Sequence, residues 1–232
     1  MIWVKRKKRG FTFLEVLISL MILSVVTVSV FAIFTQGLDV WRKAITDMNK
    51  YANARAFLDT ISAELLGATI DPWGNLFFLG TNMSTGSTSP YSDDGDVLYF
   101  FSNVTTTATN STHLAEISYW FTRTSALTGD INRYINTTGI DFSDSGYTPF
   151  ANPAATAEAV AANIVGLNFE YWHTTNGNFG KSNWDSTNDS IADEYAKLPE
   201  AVRITVTIRD DFNRQNEDFS TVVYLPESEK YY

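Results

Sequence analysis

One carboxylate stands out by its surroundings. Glu15 lies in the run F-T-F-L-E-V, and no charged residue follows it from Val16 to Phe34. An ionised carboxyl in an apolar segment is costly when unpaired, so Glu15 needs a partner or a task. Elsewhere the chemistry is sparse. The chain has no cysteine and two histidines, which excludes a disulfide scaffold and a cysteine-ligated metal centre. His173, beside Tyr171 and Trp172, reads as a strand-end residue, and His113 as part of a Thr/Asn-rich loop. No G-x-S-x-G, H-E-x-x-H, C-x-x-C or phosphate-binding loop occurs, and no acid pair is singled out as a catalytic dyad. The chain is therefore read as a non-enzyme with no cofactor. Two acidic loops, Asp185/Asn188/Asp189/Asp193 and Asp93/Asp94/Asp96, have oxygen ligands that suit calcium, but neither follows EF-hand spacing. Triplets of the N-x-S/T type start at Asn82, Asn103, Asn110, Asn136 and Asn188 and reflect the Asn/Thr-rich composition.

The elements that would position Glu15 are plain. Five of the 17 basic residues form K-R-K-K-R from Lys5 to Arg9, directly before Gly10. The remainder is strongly acidic, within a net charge of −9 for 232 residues, and such a body repels phosphate backbones, so nucleic acid is not an expected partner. The nineteen residues from Val16 to Phe34 carry only Ser19, Ser24, Thr27 and Ser29 as polar members, close to the minimum length of a membrane-spanning helix. The basic cluster favours a cytoplasmic N-terminus with the rest of the chain across the membrane. A plain signal anchor fits these facts. A removable secretory signal also fits, with Val30 and Ala32 meeting the small-residue rule, although the apolar run continues through Ile33 and Phe34.

Beyond Phe34, large residues recur at Leu38, Trp41, Ile45, Met48, Ala52, Leu58, Ile61 and Leu65, in steps close to helical spacing. No proline interrupts Phe11 to Ile70, and Gly67 and Pro72 supply a stop. The pattern predicts one helix from about Phe11 to Leu66, on the order of 80 Å long at 1.5 Å per residue. Its first half suits lipid and its second half a globular head.

After Gly67 the period shortens to two. Ala201 to Arg209 alternates Val202, Ile204, Val206 and Ile208 with polar residues, as a half-buried strand does. Asp218 to Leu225 pairs with it through a polar loop, Asp210 to Glu217, and Pro199 and Pro226 bracket the hairpin. Further strands are expected at Val97 to Ser102, Glu116 to Arg123 and Asn163 to Trp172, with one short helix at Ala154 to Ala162. Gly80 to Gly95, Asn103 to Thr112, Gly139 to Pro153 and Asn176 to Asp193 read as surface loops. The fold class is α+β: a long N-terminal helix, half membrane-borne and half amphipathic, packed on an antiparallel sheet head.

The run K-R-K-K-R-G-F-T-F-L-E resembles the type III signal of prepilins and pseudopilins. That resemblance implies cleavage after Gly10 by a prepilin peptidase and N-methylation of Phe11. It also gives Glu15 a task, as the carboxylate that meets the N-terminal amine of a neighbouring subunit inside an apolar helix bundle. The implied segments are a leader, 1–10; a transmembrane half-helix, 11–34; an amphipathic half, 35–66; and a periplasmic pilin-like head, 67–232. R-A-F-L-D-T-I-S-A-E-L, N-I-V-G-L-N-F-E-Y-W, L-P-E-A-V-R-I-T-V-T-I and F-S-T-V-V-Y-L-P further resemble J-type minor pseudopilins of type II secretion systems. Membership would imply a tip complex with I-type and K-type minor pseudopilins above the major pseudopilin, at the bacterial inner membrane, serving protein export. A minor pilin of a type IV pilus shares the same N-terminus. Pseudopilins of other subtypes bind calcium, which keeps the acidic loops of interest. A carbohydrate-binding or adhesive module would instead use Trp73, Trp172 and Trp184 for stacking on sugars.

Overall fold

The computed structural model describes residues 12–71, 75–81, 96–106, 111–143, 147–151, 156–173, 177–188, 190–191, 194–209 and 216–225. The chain falls into two compact units divided between Met48 and Asn49. One helix, α1 (Phe13–Leu66), supplies nearly all the described residues of the first unit and the first element of the second.

Within the first unit, every described residue from Thr12 to Phe34 is exposed. Ser19, Thr27 and Ser29 each donate to the carbonyl four residues earlier at 2.7–2.8 Å, and Ser24 donates to Met21 O at 2.8 Å. These back-bonds satisfy the hydroxyls inside the helix, so they add little polarity to its surface. The stripe read from the sequence is only partly buried. Leu58, Ile61 and Leu65 are in the core, whereas Leu38, Trp41 (67% exposed), Ile45 and Met48 are not.

Among its described residues, the second unit is built on a ten-stranded antiparallel sheet. Its strands are β1 (Ala68–Thr69), β2 (Phe78–Thr81), β3 (Val97–Thr106), β4 (Ser111–Arg123), β5 (Gly129–Asn136), β6 (Glu158–His173), β7 (Asn178–Lys181), β8 (Trp184–Asp185), β9 (Ala201–Arg209) and β10 (Asn216–Tyr224). The main path runs β10-β9-β6-β5-β4-β3-β2-β8, with β1 added to β3 and β7 added to β6. Ala54, Phe57, Leu58, Ile61 and Leu65 on α1 belong to one core with Ala115, Ile117, Tyr119 and Phe121 of β4 and the alternate residues of β9. Each fully buried Phe, Ile or Leu here contributes about 1.5–3 kcal/mol from surface removed from water.

The helix stops where the backbone passes close to the sheet. A Cβ on Gly67 would lie 2.7 Å from both Asn103 O and Ser102 Oγ. Ser102 Oγ in turn donates to Glu64 O at 2.6 Å, which satisfies a carbonyl of the last helical turn. On β2, which also pairs with β3, the Tyr171 hydroxyl lies over Gly80, 1.8 Å from where a Cβ would be. The sheet curls along β6. Its first part pairs with β5 and its later part with β9, and Asn163, with φ of 62°, sits beside the register shifts in both pairings.

Several expectations need correction. The short helix at Ala154 to Ala162 is absent from the described part: Glu158 to Ala162 opens β6. Alanine favours a helix, but Ala159 and Ala161 here pair with Asn132 and Ile131 of β5, and this pairing overrides local propensity. The Asn103 to Thr112 loop is narrower than read, since β3 runs to Thr106 and β4 starts at Ser111; His113 is thus on a strand, opposite Val104. Threonine is β-branched and extends the hairpin beyond the core, with Thr105 and Thr112 hydroxyls 3.3 Å apart. The Asn176 to Asp193 stretch contains β7 and β8, held by Phe179 against Trp172 and by buried Trp184. The Gly139 to Pro153 stretch has no strand among its described residues, but it is no passive surface loop. Its Phe142 and Phe150 both stack on Phe101, and Phe150 also meets Tyr99 and Tyr134, covering the sheet face opposite α1.

Candidate functional site

The start of α1 is built from a short polar signal. Thr12 precedes the first helical residue, and the Glu15 N–H donates to Thr12 O at 3.0 Å and to Thr12 Oγ1 at 3.4 Å. Thr12 therefore acts as an N-cap, and T-F-L-E has the spacing of a capping box. Glu15 lies in the first turn, where its negative charge is favoured by the unsatisfied N–H groups of the helix end. Behind it, Phe13–Ile45 is long and apolar enough to cross a membrane, by length and composition. Gly10 and Phe11 lie outside the described residues. Thr12 was not singled out from sequence, although T-x-x-E before an apolar run was the available signal.

In the second unit, the functional-looking charges are structural. Glu64 of α1 is buried and accepts from Tyr119 Oη and from the Arg133 guanidinium. Arg133 also reaches Glu158 Oε1 at 2.7 Å. Burial works against the Arg133 charge, but the hydrogen bond and attraction of Glu64 outweigh it and hold the guanidinium firmly protonated. Burial, then the negative Glu64, pushes the Tyr119 phenol well above its usual range. This lock fixes the end of α1 to β4 and β5.

On the opposite face, Glu116 is 1% exposed and accepts from Tyr134 Oη and Asn136 Nδ2, both at 3.2 Å, and from Tyr147 Oη. Burial and then the neighbouring Glu116 raise the Tyr134 phenol to about 12 and push that of Tyr147 up as well. The carboxylate is saturated by neutral donors, which makes it an anchor for the covering segment.

Among the described residues, no group of three or more His, Cys, Asp or Glu could hold a metal ion. Asp185 Oδ1 already accepts from Thr187 N–H at 2.9 Å and Thr187 Oγ1 at 2.6 Å. Asn188 Oδ1 accepts from Ser190 N–H at 3.0 Å, and Asp96 is buried. Asp93, Asp94, Asp189 and Asp193 lie outside the described residues. His113 and His173 belong to β4 and β6, far apart in register. For sugar stacking, Trp184 is buried and donates Nε1–H to Lys197 O at 3.0 Å, and Trp172 packs edge-on against Phe179 at 5.1 Å. Trp73 lies outside the described residues.

Comparison with known families matches residues 5–31 to the prokaryotic N-terminal methylation motif. No curated protein matches the chain. The matched motif, the single long apolar helix behind it and the antiparallel sheet together support a membrane-anchored, pilin-like structural protein.

Proposed function

We propose that the chain is a minor pseudopilin of a type II secretion system, of the J type, and acts as an assembly subunit rather than an enzyme. The observation that carries the pilin-like part is the methylation motif over residues 5–31, joined to an apolar helix that opens with Glu15. Support for the J type is the C-terminal pattern from Asn163 to Pro226, which falls on β6, β9 and β10.

In this reading, residues 1–10 are a cytoplasmic leader, 11–34 the membrane half of the helix, 35–66 its amphipathic half and 67–232 a periplasmic head. A prepilin peptidase cuts between Gly10 and Phe11, and Phe11 becomes the N-methylated first residue. Its charged amine then pairs with Glu15 of a neighbouring subunit in the bundle. I-type and K-type minor pseudopilins and the major pseudopilin are the partners at the inner membrane. A minor pilin of a type IV pilus is the second reading, favoured by the same N-terminal motif.

Co-purification from detergent-solubilised native membranes tests the choice. Recovery of I-type and K-type pseudopilins is expected. Recovery of type IV pilins instead would replace the J-type assignment, and recovery of no pilin-like protein would overturn the assembly role.

A further inference from the structure

The residue just before β3 reaches a strand that is not its neighbour in the sheet. β3 and β6 are separated by β4 and β5 along the main path. Asp96 nevertheless donates its N–H to Leu167 O at 3.3 Å and accepts at Oδ2 from the Phe169 N–H at 2.6 Å, both on β6. The curl of the sheet thus brings β3 back to β6 at Asp96, a residue 4% exposed among Val97, Leu98, Leu167, Phe169 and Tyr171, all buried.

We propose that Asp96 is a protonation-controlled clasp on the seam between β3 and β6: neutral, it keeps the seam shut, and ionised, it loosens it. Among the described residues, no cation forms an ion pair with Asp96. β2 and β3 carry no histidine, carboxylate or basic residue. On β6 the neighbours are the Tyr171 phenol, buried with its hydroxyl unpartnered, and Glu170, which is paired with Arg203 of β9 at 3.0 Å. Lys181 of β7 is paired with Glu194. At the near end of β4 and β5, Arg123 donates to Ala126 O at 3.3 Å, and Asp130 is the remaining acid there.

A carboxyl buried with a single backbone donor and a negative neighbour resists ionisation. Burial raises Asp96 to about 7, the Phe169 N–H opposes the rise, and Glu170 adds to it. The sign of the linkage follows. An open seam returns Asp96 to an ordinary carboxylate value near 3.8, so the open state ionises first. Opening should be flat below about pH 4, grow about tenfold per pH unit up to about pH 7 and level off above it.

Hydrogen exchange on the full chain in detergent micelles reads this directly, as protection factors at the Asp96 and Phe169 amides. Between pH 5 and 7 they should fall about tenfold per unit and then plateau. Asp96→Asn should abolish the slope, and Glu170→Gln should move the plateau to lower pH. A flat wild-type profile overturns the proposal, as does a slope that survives Asp96→Asn. Should Asp96→Asn fail to fold, the wild-type slope and the Glu170→Gln shift decide by themselves, and an unmoved plateau in Glu170→Gln counts against the clasp.

Discussion

Glu15 has a local role that any further role must coexist with: it stands at the third position of α1 behind the Thr12 cap, where a negative charge suits the helix end. Under the proposed assembly role, Glu15→Val should insert into membranes at least as well as the parent but enter fibres or tip complexes poorly, because the proposed partner amine would be left uncompensated at a cost of roughly 3–5 kcal/mol. Quantifying incorporation after cross-linking checks this, and normal incorporation would remove the pairing role. If cleavage falls after Gly10 as proposed, Gly10→Leu should leave an unprocessed chain, visible as an intact mass that retains residues 1–10. In the head, Gly80 and Tyr171 give an opposed pair of outcomes. Gly80→Ala drives a Cβ into the Tyr171 hydroxyl and should destabilise by several kcal/mol, on the order of other core clashes. Tyr171→Phe removes a buried hydroxyl without a partner and should be neutral or stabilising by about 1 kcal/mol. Thermal unfolding of the two variants distinguishes them.

At the scale of elements, α1 is docked by a buried charge as well as by apolar contact. Glu64→Ala leaves Arg133 with Glu158 alone, and a buried cation stripped of its main partner should cost about 3–5 kcal/mol. Replacing both members by apolar residues of similar size, Glu64→Leu with Arg133→Met, should cost far less, and chemical denaturation of the single and double variants measures the contrast. This lock also explains what was legible in the sequence. The helix and β9 were readable because Ala201 to Arg209 alternates cleanly and no proline breaks α1. Strand β5 was not, because G-D-I-N-R-Y-I-N places an arginine on its inward face, and pairing with the distant Glu64 and with Glu158 makes that position tolerable. The alanine-rich opening of β6 misled for a related reason: its strand state is set by β5, itself hidden. At the site, Glu15 was visible from its apolar setting, whereas Glu64 and Glu116 were not and Asp96 was read as a loop acid suited to calcium, since their roles depend on pairings across the sheet.

For the molecule as a whole, burial of phenols beside carboxylates sets its behaviour in alkali. Tyr119, Tyr134 and Tyr147 all have pKa values raised by burial and a neighbouring glutamate, Tyr134 to about 12 against an ordinary 10. The folded state then holds protons that the unfolded state releases, so these three phenols should leave stability unchanged below about pH 10 and lower it as pH rises from about 10 towards 12. Tyrosinate absorbance should rise together with loss of structure; phenols that all titrate near pH 10 in a folded head would contradict this. The N-terminal unit carries a different consequence. Ser19, Ser24, Thr27 and Ser29 spend their hydroxyls on their own helix, so this surface makes no demand on whatever lies beside it. Acyl chains and the flank of a like helix are then nearly equivalent surroundings, and moving from one to the other breaks no bond. Under the proposed assembly role, such a segment can leave lipid for a bundle, or return, with Glu15, the charged group among the described residues of the membrane half, registering the exchange.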